Sequence, residues 1–198
     1  MIALLNDLEF DEMDHIYSVK GVVVPSVTQI MRPLTTQTYF GINKDVLKQA
    51  AERGTSVHLA AELYSMMGYK EVTPETEPYF NSWLTWFETV KPEVLALEYR
   101  TYDSVLWYAG TIDLIAKING KIAIVDYKTT TVLNLGAVTV QNSAYSRACI
   151  KNGIEIEECY SLHLRPEGYK PQDFKKLDNA FDIFLACMKI QNYIKRMV

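Results

Sequence analysis

Cysteine is scarce in this chain, and the few residues present are widely separated. They are Cys149, Cys159 and Cys187, and no two of them form a CxxC pair. This spacing argues against zinc and iron–sulfur sites and indicates no disulfide framework. The chain also lacks a GxxxxGK[ST] loop, so we expect neither an iron–sulfur cluster nor a bound nucleotide, and no helicase motor.

Long apolar runs and an excess of basic charge are missing as well. No apolar run is long enough to span a bilayer, and residues 1–14 resemble neither a signal peptide nor a transit peptide. We therefore expect a soluble, cytoplasmic protein with no membrane partner. The formal net charge of -4 argues against a protein that coats nucleic acid with a basic face. It does not exclude an enzyme that binds nucleic acid through cations and a local groove.

What the chain does have is enough apolar residues for a real core. Its 198 residues are 48% hydrophobic, which predicts a single domain over 1–198, with an N-terminal hairpin and helix segment, 1–40, as an elaboration. The order of elements predicts a mixed α/β (α+β) fold with helices packed around a central mixed sheet. The predicted strands are 94–103, 107–118, 121–128 and 156–166, and the predicted helices are 44–68 with a break at Gly54, 76–90, 134–153 and 172–197.

Two local signals organise the first thirty residues. Lys20 and Gly21 predict the turn of a small hairpin. Pro25 ends this hairpin, and Ser26 is a candidate N-cap for a short helix.

An Asn-Gly pair between two β-rich runs is the strongest local signal in the chain. A type I′ turn needs positive φ at both central residues, and Asn119-Gly120 meets that need. If these two residues form the loop, partner numbers sum to 239, and Asp113 lies opposite Asp126, with Cβ atoms about 5 Å apart. Two bare carboxylates at that distance repel, and a divalent cation such as Mg²⁺ or Mn²⁺ relieves the repulsion. Lys128 shares a strand face with Asp126.

Five short motifs, in order, resemble those of the PD-(D/E)XK nuclease superfamily, most closely its RecB-like branch of phage-type and mitochondrial-genome-maintenance-type small exonucleases. They are VPSVTQIM at 24–31, RGTSVH at 53–58, GTID at 110–113, DYKT at 126–129 and QNSAY at 141–145. Ile112 stands where the superfamily's name has proline. The resemblance covers residues 20–150 and implies a restriction-endonuclease-like core.

The resemblance also implies a metal site. The implied ligands of one or two Mg²⁺ or Mn²⁺ ions are His58, Asp113, Asp126 and the main-chain carbonyl of Tyr127. Asp113, Asp126 and Lys128 are the implied catalytic residues. Lys128 would position the attacking water and stabilise the charged transition state.

Further residues are candidates for supporting or substrate-binding roles: Glu62, Glu98, Gly110, Thr129, Gln141 and Tyr145. Glu62 lies one helical turn after His58 and could orient it, although a solvated glutamate fits equally well. Gly110 stands where the backbone must pass close to DNA or another element. Gln141 and Tyr145 share a helical face and would contact the site or the DNA strand, with a core or capping role as the alternative.

The aromatic-rich segment 76–90 allows two interpretations. Its rings could form a stacking platform for unpaired bases. Their helical spacing fits a core stripe better.

The sequence thus predicts a metal-dependent DNA exonuclease of phage, recombination or repair type, encoded by a bacterium or phage. Its substrate would be DNA, as a single strand or a duplex end, and a recombination or replication protein is a candidate partner. Two alternatives stay open. One is a structure-specific or single-strand endonuclease with the same site, and the other is a catalytically silent DNA-binding module on the nuclease fold.

Overall fold

The computed structural model describes residues 2–36, 41–173 and 179–197. None of the helices in these ranges is both long and apolar enough to cross a membrane. In chain order the elements are β1 (Leu8–Asp11), β2 (Ile16–Val19), β3 (Val22–Val24), α1 (Val27–Ile30), α2 (Arg32–Thr35), α3 (Lys44–Met67), α4 (Glu77–Val90), β4 (Glu93–Asp103), β5 (Tyr108–Ile118), β6 (Lys121–Lys128), α5 (Leu135–Lys151), β7 (Glu158–Arg165), β8 (Gly168–Asp173) and α6 (Ala180–Lys195).

A five-stranded mixed sheet in the order β4-β5-β6-β7-β8 forms the centre of the fold. All neighbours are antiparallel except β6 and β7, which run parallel and are joined through α5. A parallel pair requires a crossover connection, and the helix supplies it. The predicted fold class is confirmed: this is a mixed α/β architecture with a central sheet between helices, consistent with a restriction-endonuclease-like fold.

The hairpin between β5 and β6 has the predicted turn. Asn119 and Gly120 have φ of 50° and 82°, the left-handed pair that a type I′ turn requires. Ile118 pairs with Lys121, and the same register continues to Leu114 and Val125. The turn chemistry therefore determines which residues of the two strands meet.

Two apolar cores cover the two faces of the sheet. On one face, Ile115 and Ile124 pack with the α5 residues Val140 and Ala144. On the other face, the rings of α4 pack with α3 and with the strands, and Trp83 is fully buried. The core interpretation of the aromatic segment is thereby confirmed, since buried rings are not accessible to unpaired bases.

The N-terminal residues form a second, three-stranded sheet, β1-β2-β3. Its second turn lies at Lys20 and Gly21, as predicted, with φ of 51° and 75°. Ser26 caps α1 through a capping box with Gln29, which confirms the predicted N-cap. Ser26 also bridges to Ala109 of β5, so this sheet is attached to the central one. The division of 1–198 into one domain with an elaboration over 1–40 stays a prediction.

Two local predictions were wrong. Gly54 does not break α3, which is continuous from Lys44 to Met67. A mid-helix glycine weakens a helix by only about 1 kcal/mol, which tertiary packing overrides. The predicted helix over 172–197 begins too early, because β8 extends to Asp173 and pairs with β7, and α6 begins at Ala180. Residues 174–178 of that prediction lie outside the described part of the chain.

Gly110 of β5 lies directly against the side chain of Tyr145 in α5. A Cβ at this position would lie 2.6 Å from Cε1 of Tyr145 and 3.4 Å from Cγ2 of Val27. The sequence predicts that the backbone at Gly110 passes close to DNA or another element. In the structure it passes close to α5, through the buried ring of Tyr145.

We expect Gly110→Ala to destabilise the protein by about 1–3 kcal/mol, because overpacking forces a buried ring from its position. Urea unfolding followed by circular dichroism measures the change. Gly136→Ala is the matched control, since its Cβ would meet Asn134 Oδ1 at an ordinary 3.7 Å. Equal stability of Gly110→Ala and wild type would show that the Tyr145 ring has room to move.

Candidate metal centre

Strands β5 and β6 part at the two aspartates singled out by the sequence. Their ladder ends at Leu114 and Val125, whereas β5 continues along β4 and β6 continues along β7. Instead of forming the next pair with Asp126, Asp113 accepts a hydrogen bond at Oδ2 from the Tyr127 amide, over 2.6 Å. The predicted register is therefore correct up to Leu114 and Val125. Beyond that pair, the carboxylate of Asp113 lies in the gap between the two strands.

The backbone of β4 is distorted directly across from Asp113. Glu98 has φ of 43°, a left-handed conformation that non-glycine residues rarely adopt. Leu97 packs in the α3/α4 core, whereas Tyr99 belongs to the α5 core. Strict alternation would place both on one face, so the distortion at Glu98 changes which face of the strand its neighbours occupy. Strain of this kind is common at functional sites.

His58 reaches this gap from α3. Its Nδ1 lies 3.2 Å from Oδ1 of Asp113, and its Nε2 lies 3.2 Å from the carbonyl oxygen of Tyr127. Burial by itself would lower the pKa of His58, but the Asp113 carboxylate outweighs it and the pKa lies above its ordinary value. Burial would likewise raise the pKa of Asp113, but His58, Lys128 and the Tyr127 amide outweigh it and hold that pKa low.

Three side chains from three elements offer ligand atoms to one point. One nitrogen of His58 and one carboxylate oxygen each of Glu98 and Asp113 lie within 4.8 Å of one another. Two carboxylates and an imidazole are a donor set for a hard or borderline divalent cation. The cluster could hold a metal ion, and the Tyr127 carbonyl is beside it.

The charge state of Glu98 supports this interpretation. Burial, with the nearby Asp113 carboxylate as the next cause, raises the pKa of Glu98 to about 8. At neutral pH and without a cation, most Glu98 carboxyls are therefore protonated, because the ionised form would be buried and repelled by Asp113. A divalent cation between the two carboxylates removes that repulsion, so the residues fit a metal.

Asp126 lies outside this cluster and has protein partners on both oxygens. Its Oδ1 accepts from Lys128 Nζ over 2.7 Å and from Gln141 Nε2 over 3.4 Å, and its Oδ2 accepts from Ser161 over 3.1 Å. The ion pair with Lys128 agrees with the predicted shared strand face. Burial raises the pKa of Asp126, against the opposing effect of Lys128. Its role as a metal ligand stays a prediction.

The other predicted residues surround the cluster in different ways. Gln141 donates to the hydroxyl of Tyr145 over 3.2 Å as well as to Asp126, so both residues of this helical pair reach the site. Thr129 is buried and accepts from Arg53 at its carbonyl oxygen. Glu62 lines the cleft next to His58 and contributes to the raised pKa of Glu98.

A cleft of about 510 Å³ opens over the metal cluster. The sequence analysis missed part of its lining, because the first two strands supply one wall: Phe10, Glu12, His15 and Tyr17. Arg100, two residues after Glu98 on β4, also lines the cleft. The sequence does concentrate aromatic residues around the β1–β2 turn. Nothing in the local sequence indicates that this turn lies next to the metal cluster.

Replacement of Glu98 tests its raised pKa directly. The pKa of Glu98 is about 4.5 in the unfolded chain and about 8 in the folded protein. An acid whose pKa is raised on folding lowers the free energy of unfolding as the pH rises from the first value to the second. In EDTA we therefore expect Glu98→Gln to gain stability over wild type across this window and to show no such gain at pH 4. Thermal unfolding at a series of pH values measures it. Glu93→Gln, at an exposed position of the same strand, is the control, and an equal response of both variants would contradict the assignment.

Comparisons with solved structures found several similar chains. One of them is an alkaline exonuclease from Laribacter hongkongensis, which is 12% identical in sequence, with 72% of this chain and 84% of that chain covered and a TM-score of 0.36. No protein-family model matches the chain. No curated protein matches it either. Any conclusion about function therefore has to come from the geometry of the site and from the sequence motifs.

Proposed function

We propose that the protein is a divalent-metal-dependent deoxyribonuclease that hydrolyses phosphodiester bonds from DNA ends. One observation carries this proposal: the ligand atoms of His58, Glu98 and Asp113 converge within 4.8 Å, and the Lys128–Asp126 pair lies on the adjoining strand. The motif order of the RecB-like branch of PD-(D/E)XK nucleases supports the same reaction. A cation beside a lysine is an arrangement suited to phosphoryl chemistry, in which negative charge builds on the phosphate.

The proposed ion is Mg²⁺ or Mn²⁺, held by His58, Glu98 and Asp113 together with the carbonyl oxygen of Tyr127. When bound, such an ion lowers the pKa of water and neutralises charge on the phosphate. The Tyr127 amide keeps Asp113 ionised and oriented by its hydrogen bond to Oδ2. Asp126 would serve a second ion or hold Lys128 in place.

Lys128 has the position of an electrostatic catalyst. Its ammonium group is held 2.7 Å from Oδ1 of Asp126 and is about a quarter exposed, with a side-chain exposure of 23%. In the proposed reaction it orients the attacking water and stabilises the negative transition state.

An endonuclease with the same site and a silent DNA-binding module are the alternatives. A silent module has no need for a strained glutamate beside an aspartate, because the arrangement destabilises the fold without a cation. The proposal of an exonuclease rests on the motif resemblance.

We expect Asp113→Asn to weaken Mn²⁺ binding sharply, because a charged oxygen ligand becomes a neutral amide. Glu98→Gln should weaken binding to a similar degree. Isothermal titration calorimetry measures both, with Glu93→Gln as the control of equal charge change. Wild-type Mn²⁺ affinity in both site variants would exclude the cluster as the metal centre.

The choice of DNA substrate tests the mode of attack. End-labelled linear DNA, single- or double-stranded, should be shortened progressively with Mg²⁺ or Mn²⁺ and should survive in EDTA. Covalently closed circles should persist, because they offer no end. Rapid cutting of closed circles would favour the endonuclease, and no cleavage with any metal would favour the silent module.

Substitution of Lys128 separates binding from chemistry. Lys128→Ala should keep Mn²⁺ affinity and most DNA affinity, since the ammonium is not a metal ligand. Turnover should fall about 100- to 1,000-fold, the usual effect of removing one preorganised electrostatic group from the transition state. Lys117→Ala, at an exposed lysine of β5, is the matched control. A loss of about twofold in Lys128→Ala, with folding intact, would identify the residue as an ordinary ion-pair partner.

A further inference from the structure

One wall of the cleft is an aromatic and cationic surface, formed by the N-terminal sheet together with Arg100 of β4. We call Phe10, His15, Tyr17 and Arg100 the N-terminal wall. All four line the same cleft as His58 and Asp113. The proposed metal chemistry uses none of them, so their convergence on this cleft needs another explanation.

Contacts among these residues make the wall a fixed surface. Phe10 and Tyr17 lie with ring centroids 4.4 Å apart, and the guanidinium carbon of Arg100 lies 4.9 Å from the centre of the Phe10 ring. The Tyr17 hydroxyl shares a hydrogen bond of 2.7 Å with Thr111 of β5, two residues from Asp113. The wall is therefore attached to the strand that carries the site.

His15 is presented to the cleft by a strained turn. Its φ of 52° is a left-handed conformation, and Asp11 closes the turn by accepting from the amides of Met13 and Asp14. The imidazole is exposed and lies nearly perpendicular to the rings of Phe10 and Tyr17. Among residues 2–36, 41–173 and 179–197, no ring is stacked parallel on it, and the exposure of the residue makes the imidazole accessible to a ligand.

Arg100 is a cation with a weak protein partner. Its Nη2 lies 3.0 Å from Oε1 of Glu12, and that glutamate side chain is 77% exposed. Exposed ion pairs of this type contribute about 0–1 kcal/mol, so a phosphate can replace the carboxylate at little cost. Arg100 is two residues from Glu98 on β4, which places a phosphate-binding group next to the metal cluster.

The dimensions of the cleft limit what fits. About 510 Å³ is the size of a pocket for a small molecule. A space of this size accommodates one nucleotide of a single strand. Aromatic rings combined with cations are the means by which proteins hold unpaired bases and their phosphates.

We infer that the N-terminal wall binds an unpaired terminal nucleotide, with His15 stacked on the base and Arg100 on the adjoining phosphate. The inference rests on the proposed nuclease function and adds its substrate class, a single-stranded end. The N-terminal sheet and the turn that carries His15 are then part of the substrate site, because they supply the exposed ring that stacks on the base.

Binding of a fluorescent single-stranded oligodeoxynucleotide tests the inference without cleavage. Anisotropy is measured in Ca²⁺, with a gel to verify that the strand stays intact. The main variant is His15→Asn, because asparagine tolerates the left-handed backbone and lacks the ring. His15→Tyr restores a stacking face, Arg100→Gln removes the cation, and Tyr69→Ala is the control for loss of an exposed aromatic residue elsewhere.

The expected result is about a 5- to 150-fold loss of affinity in His15→Asn, which corresponds to the 1–3 kcal/mol typical of one stacked base. His15→Tyr should bind as wild type does or more tightly, Arg100→Gln should lose affinity, and Tyr69→Ala should not change. An abasic residue near the strand end should weaken binding to wild type but not to His15→Asn, since the two changes remove the same contact. Wild-type affinity in His15→Asn would overturn the inference. So would an equal loss of affinity from each abasic position in wild type and in His15→Asn.

Failure of this inference and failure of the proposed function give different results. If the protein cleaves DNA with Mn²⁺ but His15→Asn keeps wild-type affinity and KM, the N-terminal wall is not a nucleotide site. If the abasic pattern appears but no metal supports cleavage, the subsite stands and the nuclease proposal is wrong.

Discussion

The hydrogen bond from the Tyr127 amide to Asp113 is the contact on which the site depends. In an uninterrupted hairpin the two aspartates would form a cross-strand pair. Here the carboxylate takes the amide as a donor, and β5 and β6 part at this point. His58 then bonds both to Asp113 and to the Tyr127 carbonyl, so one side chain from α3 completes the gap between the strands. The geometry of the candidate metal centre follows from this departure from a regular sheet.

The ionised form of Glu98 is unfavourable in the same gap, because it would be buried and repelled by Asp113. Glu98 is strained in its backbone and has a raised pKa, and both features oppose folding. A sequence selected for stability alone has no reason to place a glutamate there. The unfavourable arrangement is explained if the carboxylates meet a cation, whose binding to the folded state returns the stability that they remove.

The two sheets have complementary tasks in this interpretation. The central sheet and α3 bring the candidate ligand atoms together, whereas the N-terminal sheet and its first turn bring rings to the cleft, beside the guanidinium group of Arg100 on β4. The aromatic residues of α4, which also suggested a stacking platform, are buried in the core instead. Of the rings in the N-terminal wall, that of His15 is exposed, that of Phe10 is partly buried and that of Tyr17 is buried, and all three belong to the segment that the sequence presented as an elaboration.

Local chemistry made much of this predictable from the sequence. Asn119-Gly120 determined the turn and hence the register, the capping preference of Ser26 determined the start of α1, and alternation placed Lys128 beside Asp126. These signals act over a few residues, so they can be read without the fold. The position of Glu98 in the candidate metal cluster and the contribution of His15 to the cleft were decided by tertiary structure, because each depends on a strained backbone angle and on neighbours distant in the chain. No periodicity in the sequence records which strand lies across from a residue once a ladder is interrupted.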